Sequence, residues 1–243
     1  MLKVLFSNVR DGNMGLNVNL DVEVAWENRE RFLSRNGLDH KKTFFMGCSH
    51  GTNIGLVNQV QGVGPFEMDD MDGFITFDPE ISLAFAPADC MPIVFSCVDS
   101  AETVRGIALA HAGLKGLTSL IAAKIVREID KAAKQKGIDK YRLDVNFLNY
   151  IKTCCYHEGL DLMTIGMLQV GALLNSCDAP GFSECKIHPY GDPVCTCCTK
   201  DGYGGYEYFS HSRSYNSMKG TANYPHLDTS PEGRNLVAVS FSV

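Results

Sequence analysis

Positive charge is in short supply in this sequence. Its 22 lysines and arginines face 28 aspartates and glutamates, a net charge of −6. No cluster of basic residues stands out, which argues against a nucleic-acid partner, because phosphate neutralisation needs grouped Lys and Arg. Long apolar runs are missing as well. Thr43 to Phe66 and Leu162 to Cys177 carry no Asp, Glu, Lys or Arg, but Gly, Asn, Gln and Ser interrupt them, so neither reads as a membrane span. The opening Met1 to Ser7 has too short an apolar part for a signal peptide, and there is no low-complexity run. These absences lead to the expectation of a soluble, cytoplasmic protein.

What is present is a globular composition, 45% hydrophobic and 21% charged, with enough apolar content for a sizeable core. Its ten cysteines are expected to be thiols rather than disulfides in a chain without a secretory signal.

Lys3 to Ser7 reads as a first strand and Arg10-Asp11-Gly12-Asn13 as a turn. Asp21 is placed to cap a helix from Val22 to about Arg35, with Val22, Ala25, Trp26, Arg29, Phe32 and Leu33 on one side and Gly37 as its stop. Thr43 to Met46 is a strand leading to His50, and Gly62 to Pro65 is a loop. A helix is predicted to start at Thr118 or Ser119, to carry Leu120, Ile121, Ile125, Val126, Ile129 and Ala133 toward the core, and to end at Gly137. Tyr141 to Phe147 alternates as a strand, and Leu160 to Leu174 is a helix rich in Met and Leu.

The chemistry concentrates between Ala88 and Gly116. The short uncharged runs Ser82 to Ala86, Ile93 to Phe95 and Gly106 to Ala110 read as buried strands. They present Cys90, in Ala88-Asp89-Cys90-Met91-Pro92, and His111, in Ala110-His111-Ala112-Gly113-Leu114-Lys115-Gly116. Gly113 and Gly116 then give a strand, glycine loop and helix start, where backbone N–H groups favour an anion. Upstream lies His50 in Gly47-Cys48-Ser49-His50-Gly51. Two imidazoles and a thiolate form a three-ligand set of the kind that leaves zinc a fourth position for water or substrate; a buried Cys that is only a small hydrophobe, and hydrogen-bonded core histidines, are the plainer alternative.

Ala-Asp-Cys-Met-Pro-Ile-Val, followed by Ala-His-Ala-Gly-Leu-Lys-Gly, resembles the paired signature of the laccase-domain family, also called multicopper polyphenol oxidoreductase-like, whose members are purine nucleoside phosphorylases. The family's usual forms are Ala-Asp-Cys-x-Pro-Val and His-Ala-Gly-Trp-Arg-Gly, with an upstream Gln-Val-His-Gly. Here Cys48-Ser49 replaces Gln-Val, and Leu114-Lys115 replaces Trp-Arg. Further matches run from Phe6-Ser7 with Arg10, through Glu27-Asn28-Arg29, Met71 to Thr76 and Ile151 to Gly159, to Tyr208-Phe209-Ser210-His211-Ser212-Arg213 and Gly233-Arg234.

The resemblance implies a single α+β domain over residues 1–243, with mixed sheets flanked by helices in a fold shared with deamidating cysteine toxins. It implies zinc, or copper, at His50, Cys90 and His111. Purine nucleosides (adenosine, inosine, methylthioadenosine) and phosphate are the implied partners, with adenosine deamination as a further activity. Cys90, His111, Asp72 and Asp89 are the expected catalytic groups, a carboxylate beside a metal site being suited to fix a histidine tautomer or move a proton. Arg10, Gly113, Lys115, Gly116 and Arg213 are expected to bind substrate or phosphate, Arg213 because a guanidinium holds an oxyanion at two points.

Other classes remain in play. A multicopper oxidase needs more histidines, usually as His-x-His pairs, whereas the seven here include none. A cysteine hydrolase would use Cys90 as nucleophile and His111 as base, and a scaffold with a vestigial site is the non-enzymatic reading. The zinc deaminase signature is absent: His157 is followed directly by Glu158, and Val194 stands before Cys195 where Pro is expected. Cys195-Thr196-Cys197-Cys198 invites a structural zinc reading, but Cys177 and Cys185 do not supply the second pair. Ser214 to Glu232, containing Tyr224, Pro225 and His226, reads as an insertion relative to the family that either covers the site or forms a surface loop.

Overall fold

A computed structural model of the chain describes residues 2–18, 21–58, 64–156, 159–189, 193–219 and 232–241. Its strands are β1 (Leu2–Phe6), β2 (Thr43–Gly47), β3 (Ile54–Leu56), β4 (Phe66–Asp69), β5 (Gly73–Thr76), β6 (Ser82–Phe85), β7 (Met91–Val98), β8 (Val104–Ala112), β9 (Tyr141–Phe147), β10 (Phe182–Pro189) and β11 (Val237–Phe241). The α-helices are α1 (Val22–Arg35), α2 (Leu114–Thr118), α3 (Ile121–Gln135), α4 (Leu162–Gly171) and α5 (His211–Lys219).

The strands form two sheets, of five strands in the order β1-β11-β6-β2-β4 and six in the order β10-β9-β7-β8-β5-β3. Both are mixed. In the first, β11 runs antiparallel to β1 and β6 while β2 is parallel to β6 and β4. In the second, β9, β7, β8 and β5 form an antiparallel centre, with β10 parallel to β9 at one edge and β3 parallel to β5 at the other.

Strand periodicity explains the layers. Side chains alternate between the two faces of a strand, and here both faces of the central strands are apolar. Phe44 and Met46, Leu83 and Phe85, and Val237 and Val239 meet Phe74, Val94, Ile107 and Leu109 between the sheets. The intervening Phe45, Ala84 and Ala238 pack instead with Phe32 and Leu33 of α1. Ile93, Phe95, Ala108 and Ala110 turn the other way, onto Ile121, Ile125, Val126 and Ile129 of α3. Alanines on the outer faces, Ala84 and Ala238 toward α1 and Ala108 and Ala110 toward α3, leave room for the helices beside Phe45, Ile93 and Phe95. The expected mixed sheets flanked by helices are what the chain forms.

α1 has the expected bounds; the Asp21 side chain accepts from Val24 N at 3.1 Å, and Gly37 takes a positive φ of 72° just past its end. Val22, assigned to the core face, is 45% exposed. The helix expected from Thr118 or Ser119 starts only at Ile121, because Leu120 adopts a left-handed φ of 66° between α3 and the short α2 that precedes it. That break turns Leu120 out to 49% exposure rather than into the core. α4 is shorter than Leu160 to Leu174, starting where Asp161 accepts from Met163 N. Gly62 and Val63 of the predicted loop, His157 and Glu158, and residues 220–231 of the insertion lie outside the described residues. No described helix is long and apolar enough to cross a membrane.

Leu83, fully buried between the sheets, is expected to cost about 2–5 kcal/mol when truncated to alanine. Val22→Ala is expected to stay within about 0.5 kcal/mol. Urea denaturation of both variants measures the contrast.

Candidate functional site

Strand register brings the candidate residues to one edge of the six-stranded sheet. On β7 and β8, Pro92 stands opposite His111, so Cys90, just before β7, reaches the end of β8. On β5 and β8, Gly73 stands opposite Ala110, which sets Asp72 beside His111, and His111 N donates to Asp72 O at 2.9 Å. From the other sheet, β2 ends at Gly47 and its exit loop carries Cys48 and His50 to the same edge.

The ligand atoms of His50, Cys90 and His111 lie within 4.8 Å of one another, and the two imidazole rings are 4.8 Å apart, edge to face. His111 Nδ1 is 2.8 Å from Asp72 Oδ1. An ionised carboxylate only accepts, so Nδ1 carries the proton and Nε2 is left for a metal. The other oxygen of Asp72 accepts from Ser49 Oγ at 3.0 Å and Gly51 N at 2.8 Å. One buried carboxylate therefore fixes His111 and also clamps the residues on either side of His50. The clamp holds His50 at a φ of 61°, a left-handed conformation that costs a non-glycine residue about 1–2 kcal/mol.

A side chain at Gly113 would meet Cys90 Sγ at 2.7 Å and His50 Cδ2 at 3.5 Å. Only glycine lets the backbone pass this close to the thiol. The donor set of two nitrogens and one sulfur suits zinc or copper. Cys48, Asp72 and His111 form an overlapping second set that shares His111.

The same close contacts set the charges within the corner. Burial alone would raise the Cys90 thiol, but the charge of His111 and hydrogen bonds from His111 and His50 bring it down to about 6. Burial works against a charged His111, yet Cys90, Cys48 and Asp72 around it raise it well above the usual histidine value. Asp72, whose burial would raise it, is lowered by the hydrogen bonds from His111, Ser49 and Gly51.

The corner opens into a cavity of about 460 Å³ lined by Gly113, Asp89, Ser212, His211, Arg29 and Arg234 among others. Asp89 lines it, but both of its oxygens are engaged, Oδ1 by Thr196 Oγ1 at 2.8 Å and Oδ2 by Ser212 N at 2.7 Å. Asp72 is fully buried behind His111 and positions it rather than touching the cavity.

Four of the residues expected to bind phosphate or substrate stand elsewhere. Arg213 is 1% exposed and donates to the carbonyls of Cys197 and Tyr208, both at 2.6 Å, so it holds backbone together beneath the cavity. Arg10 pairs with Asp201 at 2.9 Å and lies over the Tyr203 ring. Lys115 is exposed on α2 away from the cavity wall, and Gly116 is packed against the carbonyls of Gly51 and His111. The guanidiniums that do line the cavity are Arg29, paired with Glu67 at 3.0 Å, and Arg234, paired with Glu232 at 3.2 Å. The motifs holding them, Glu27-Asn28-Arg29 and Gly233-Arg234, were the available signal. His211 and Ser212 sit in the same motif as Arg213 but on its cavity side.

Fold and site together define a two-sheet α+β protein with a corner of two histidines and a cysteine whose donor atoms are close enough to share one metal ion. Residues 5–165, more than half of the chain, match the family model described as multi-copper polyphenol oxidoreductase laccase, and the chain belongs to that family. It is 34% identical over 105 residues to a purine nucleoside phosphorylase of Mycobacterium tuberculosis, a match that covers 43% of this chain and 39% of the relative. A purine nucleoside phosphorylase of Borreliella burgdorferi is 29% identical over 160 residues, covering 59% of this chain and 66% of that one. The matches thus span from about two fifths to about two thirds of these relatives. Among solved structures, the hypothetical protein YfiH of Bacillus licheniformis superposes with a TM-score of 0.70 at 18% identity, over 99% of this chain and 93% of that one. YlmD of Geobacillus stearothermophilus gives 0.68 at 22% identity, over 95% and 85%. These likenesses establish the fold.

Asp72→Asn, which keeps the shape but loses the charge that orients His111, is expected to weaken zinc binding by about 10–100-fold, read by competition with a chromogenic chelator. Gly113→Ala is expected to displace the Cys90 thiol and reduce zinc binding in a protein whose far-UV dichroism is unchanged.

Proposed function

We propose that this chain is a purine nucleoside phosphorylase that transfers the ribosyl group of adenosine, inosine or methylthioadenosine to phosphate. A phosphate oxygen bonds to C1′ as the bond from C1′ to the base breaks, and the base leaves with the electron pair and gains a proton. The products are free purine and ribose 1-phosphate, or 5-methylthioribose 1-phosphate when the substrate is methylthioadenosine. The observation that carries this reading is the His50, Cys90 and His111 corner opening directly into a cavity of nucleoside-accommodating size, about 460 Å³, with two arginines in its walls. The names of the matched relatives point the same way.

His50, Cys90 and His111 would hold zinc, with copper as the alternative ion; when bound, it supplies a Lewis acid that attracts an anionic or polarisable oxygen. Asp72 keeps His111 in the tautomer that leaves Nε2 free. Arg234 takes over the oxyanion role first assigned to Arg213, because its guanidinium is in the cavity wall. Asp89 holds Ser212 N and so shapes the wall opposite Cys90. Hydrolytic deamination, in which water adds at C6 of adenosine and ammonia leaves to give inosine, is a second outlet for the same site.

One observation favours a second reading. The Cys90 sulfur and a His111 ring nitrogen within 4.8 Å of each other also describe a cysteine nucleophile and its base. Metal content separates the two, because a nucleophilic thiolate is not permanently capped by zinc.

Incubation of the zinc-containing protein with inosine, with and without phosphate, is expected to give hypoxanthine only with phosphate. No release from protein with zinc confirmed present would overturn phosphorolysis and favour the hydrolase or vestigial reading. Cys90→Ala is expected to lose both this metal and turnover while remaining folded. Arg234→Ala is expected to raise the KM for phosphate by roughly ten- to hundredfold, the worth of about 1.5–3 kcal/mol for a charged hydrogen bond, with the inosine KM little changed.

A further inference from the structure

Cys195 and Cys198 have a second pair after all. Cys154 and Cys155 follow the loop after β9, and the four sulfurs of Cys154, Cys155, Cys195 and Cys198 lie within 4.8 Å of one another. Cys154 Sγ and Cys198 Sγ are 3.7 Å apart. The edge of a tetrahedron of sulfurs around zinc, at about 2.3 Å from each, is about 3.8 Å, whereas a disulfide holds its sulfurs at about 2.05 Å. The separation fits four thiolates sharing one ion and does not fit a bonded pair.

The backbone is arranged for the same purpose. Tyr150 and Cys195 form an isolated parallel bridge, and Thr196 N donates to Tyr150 O at 3.0 Å, which locks the two cysteine segments side by side. Lys152 N points at Cys195 Sγ at 3.4 Å, an amide aimed at sulfur that favours a thiolate. The turn at Cys195 to Cys198 closes through Thr199 N to Cys195 O at 3.2 Å. Two turns, each presenting two sulfurs from backbone fixed by hydrogen bonds, make a closed four-ligand site.

We propose that Cys154, Cys155, Cys195 and Cys198 bind a structural zinc ion, separate from the ion at His50, Cys90 and His111. Four sulfur donors with no open position suit zinc in a structural role. The site braces the cavity. Ile151 and Tyr156, at either end of the first cysteine segment, line the cavity wall. In the second segment Thr196 Oγ1 donates to Asp89, the neighbour of Cys90. Arg213 ties the same turn to Tyr208 O, which gives this buried cation its task.

The test is zinc per chain, by mass spectrometry of protein purified under reductant, in wild type, Cys90→Ala and the Cys154→Ser/Cys198→Ser double variant. Two equivalents in wild type and one in each variant are expected. A folded double variant that retains as much zinc as wild type would overturn the proposal. Should the double variant not fold, the Cys90→Ala protein reconstituted with cobalt(II) decides. A strong thiolate-to-cobalt absorption is expected, and its absence sinks the site. Recovery of a Cys154 to Cys198 disulfide by mapping of the reductant-free native protein, with no zinc bound there, would also contradict it.

Discussion

The contact on which the candidate site depends is the hydrogen bond between His111 Nδ1 and Asp72 Oδ1, 2.8 Å long and buried at both ends. A buried carboxylate without partners would be costly, and Asp72 has three: His111, Ser49 and Gly51. Satisfying that one group sets the His111 tautomer and holds the loop that carries His50 in an otherwise unfavourable conformation. Chain connectivity contributes nothing to this link, which joins β8, the turn before β5 and the loop after β2. The sheets exist in part to bring those three ends together.

The same economy extends outward. Asp89 stands next to Cys90 and accepts from Thr196 and Ser212, so the walls beyond the His50, Cys90 and His111 corner are held by a second carboxylate that also has no free oxygen. Arg213 and the four clustered cysteines then secure the segment that carries Thr196. In this arrangement the polar groups nearest the cavity do positioning, and of the two guanidiniums in its wall Arg29 is buried against Met14 O and Glu67 while the half-buried Arg234 pairs with Glu232.

Much of this was legible in the sequence for a physical reason. Cys90 and His111 lie at the ends of apolar runs, and such runs in a two-sheet protein are buried strands whose ends meet. α1 was legible because Asp21 and Gly37 mark its limits. Arg213 was not, since a motif names its residues without saying which way each side chain faces; the phase of α5 puts His211 and Ser212 at the cavity and Arg213 inside. Leu120 misled because a left-handed residue interrupts the helical period. The partner of Cys195 and Cys198 was hidden because Cys154 is 44 residues away from Cys198, and the two segments meet through contacts between loops rather than through a patterned element.

Long-range proton–nitrogen correlation NMR on the zinc-loaded protein reads the state of each imidazole nitrogen. His111 is expected to show a protonated Nδ1, held by Asp72, and a metal-bound Nε2. A His111 bound through Nδ1, or one left as an uncoordinated imidazolium with zinc present, would contradict that assignment.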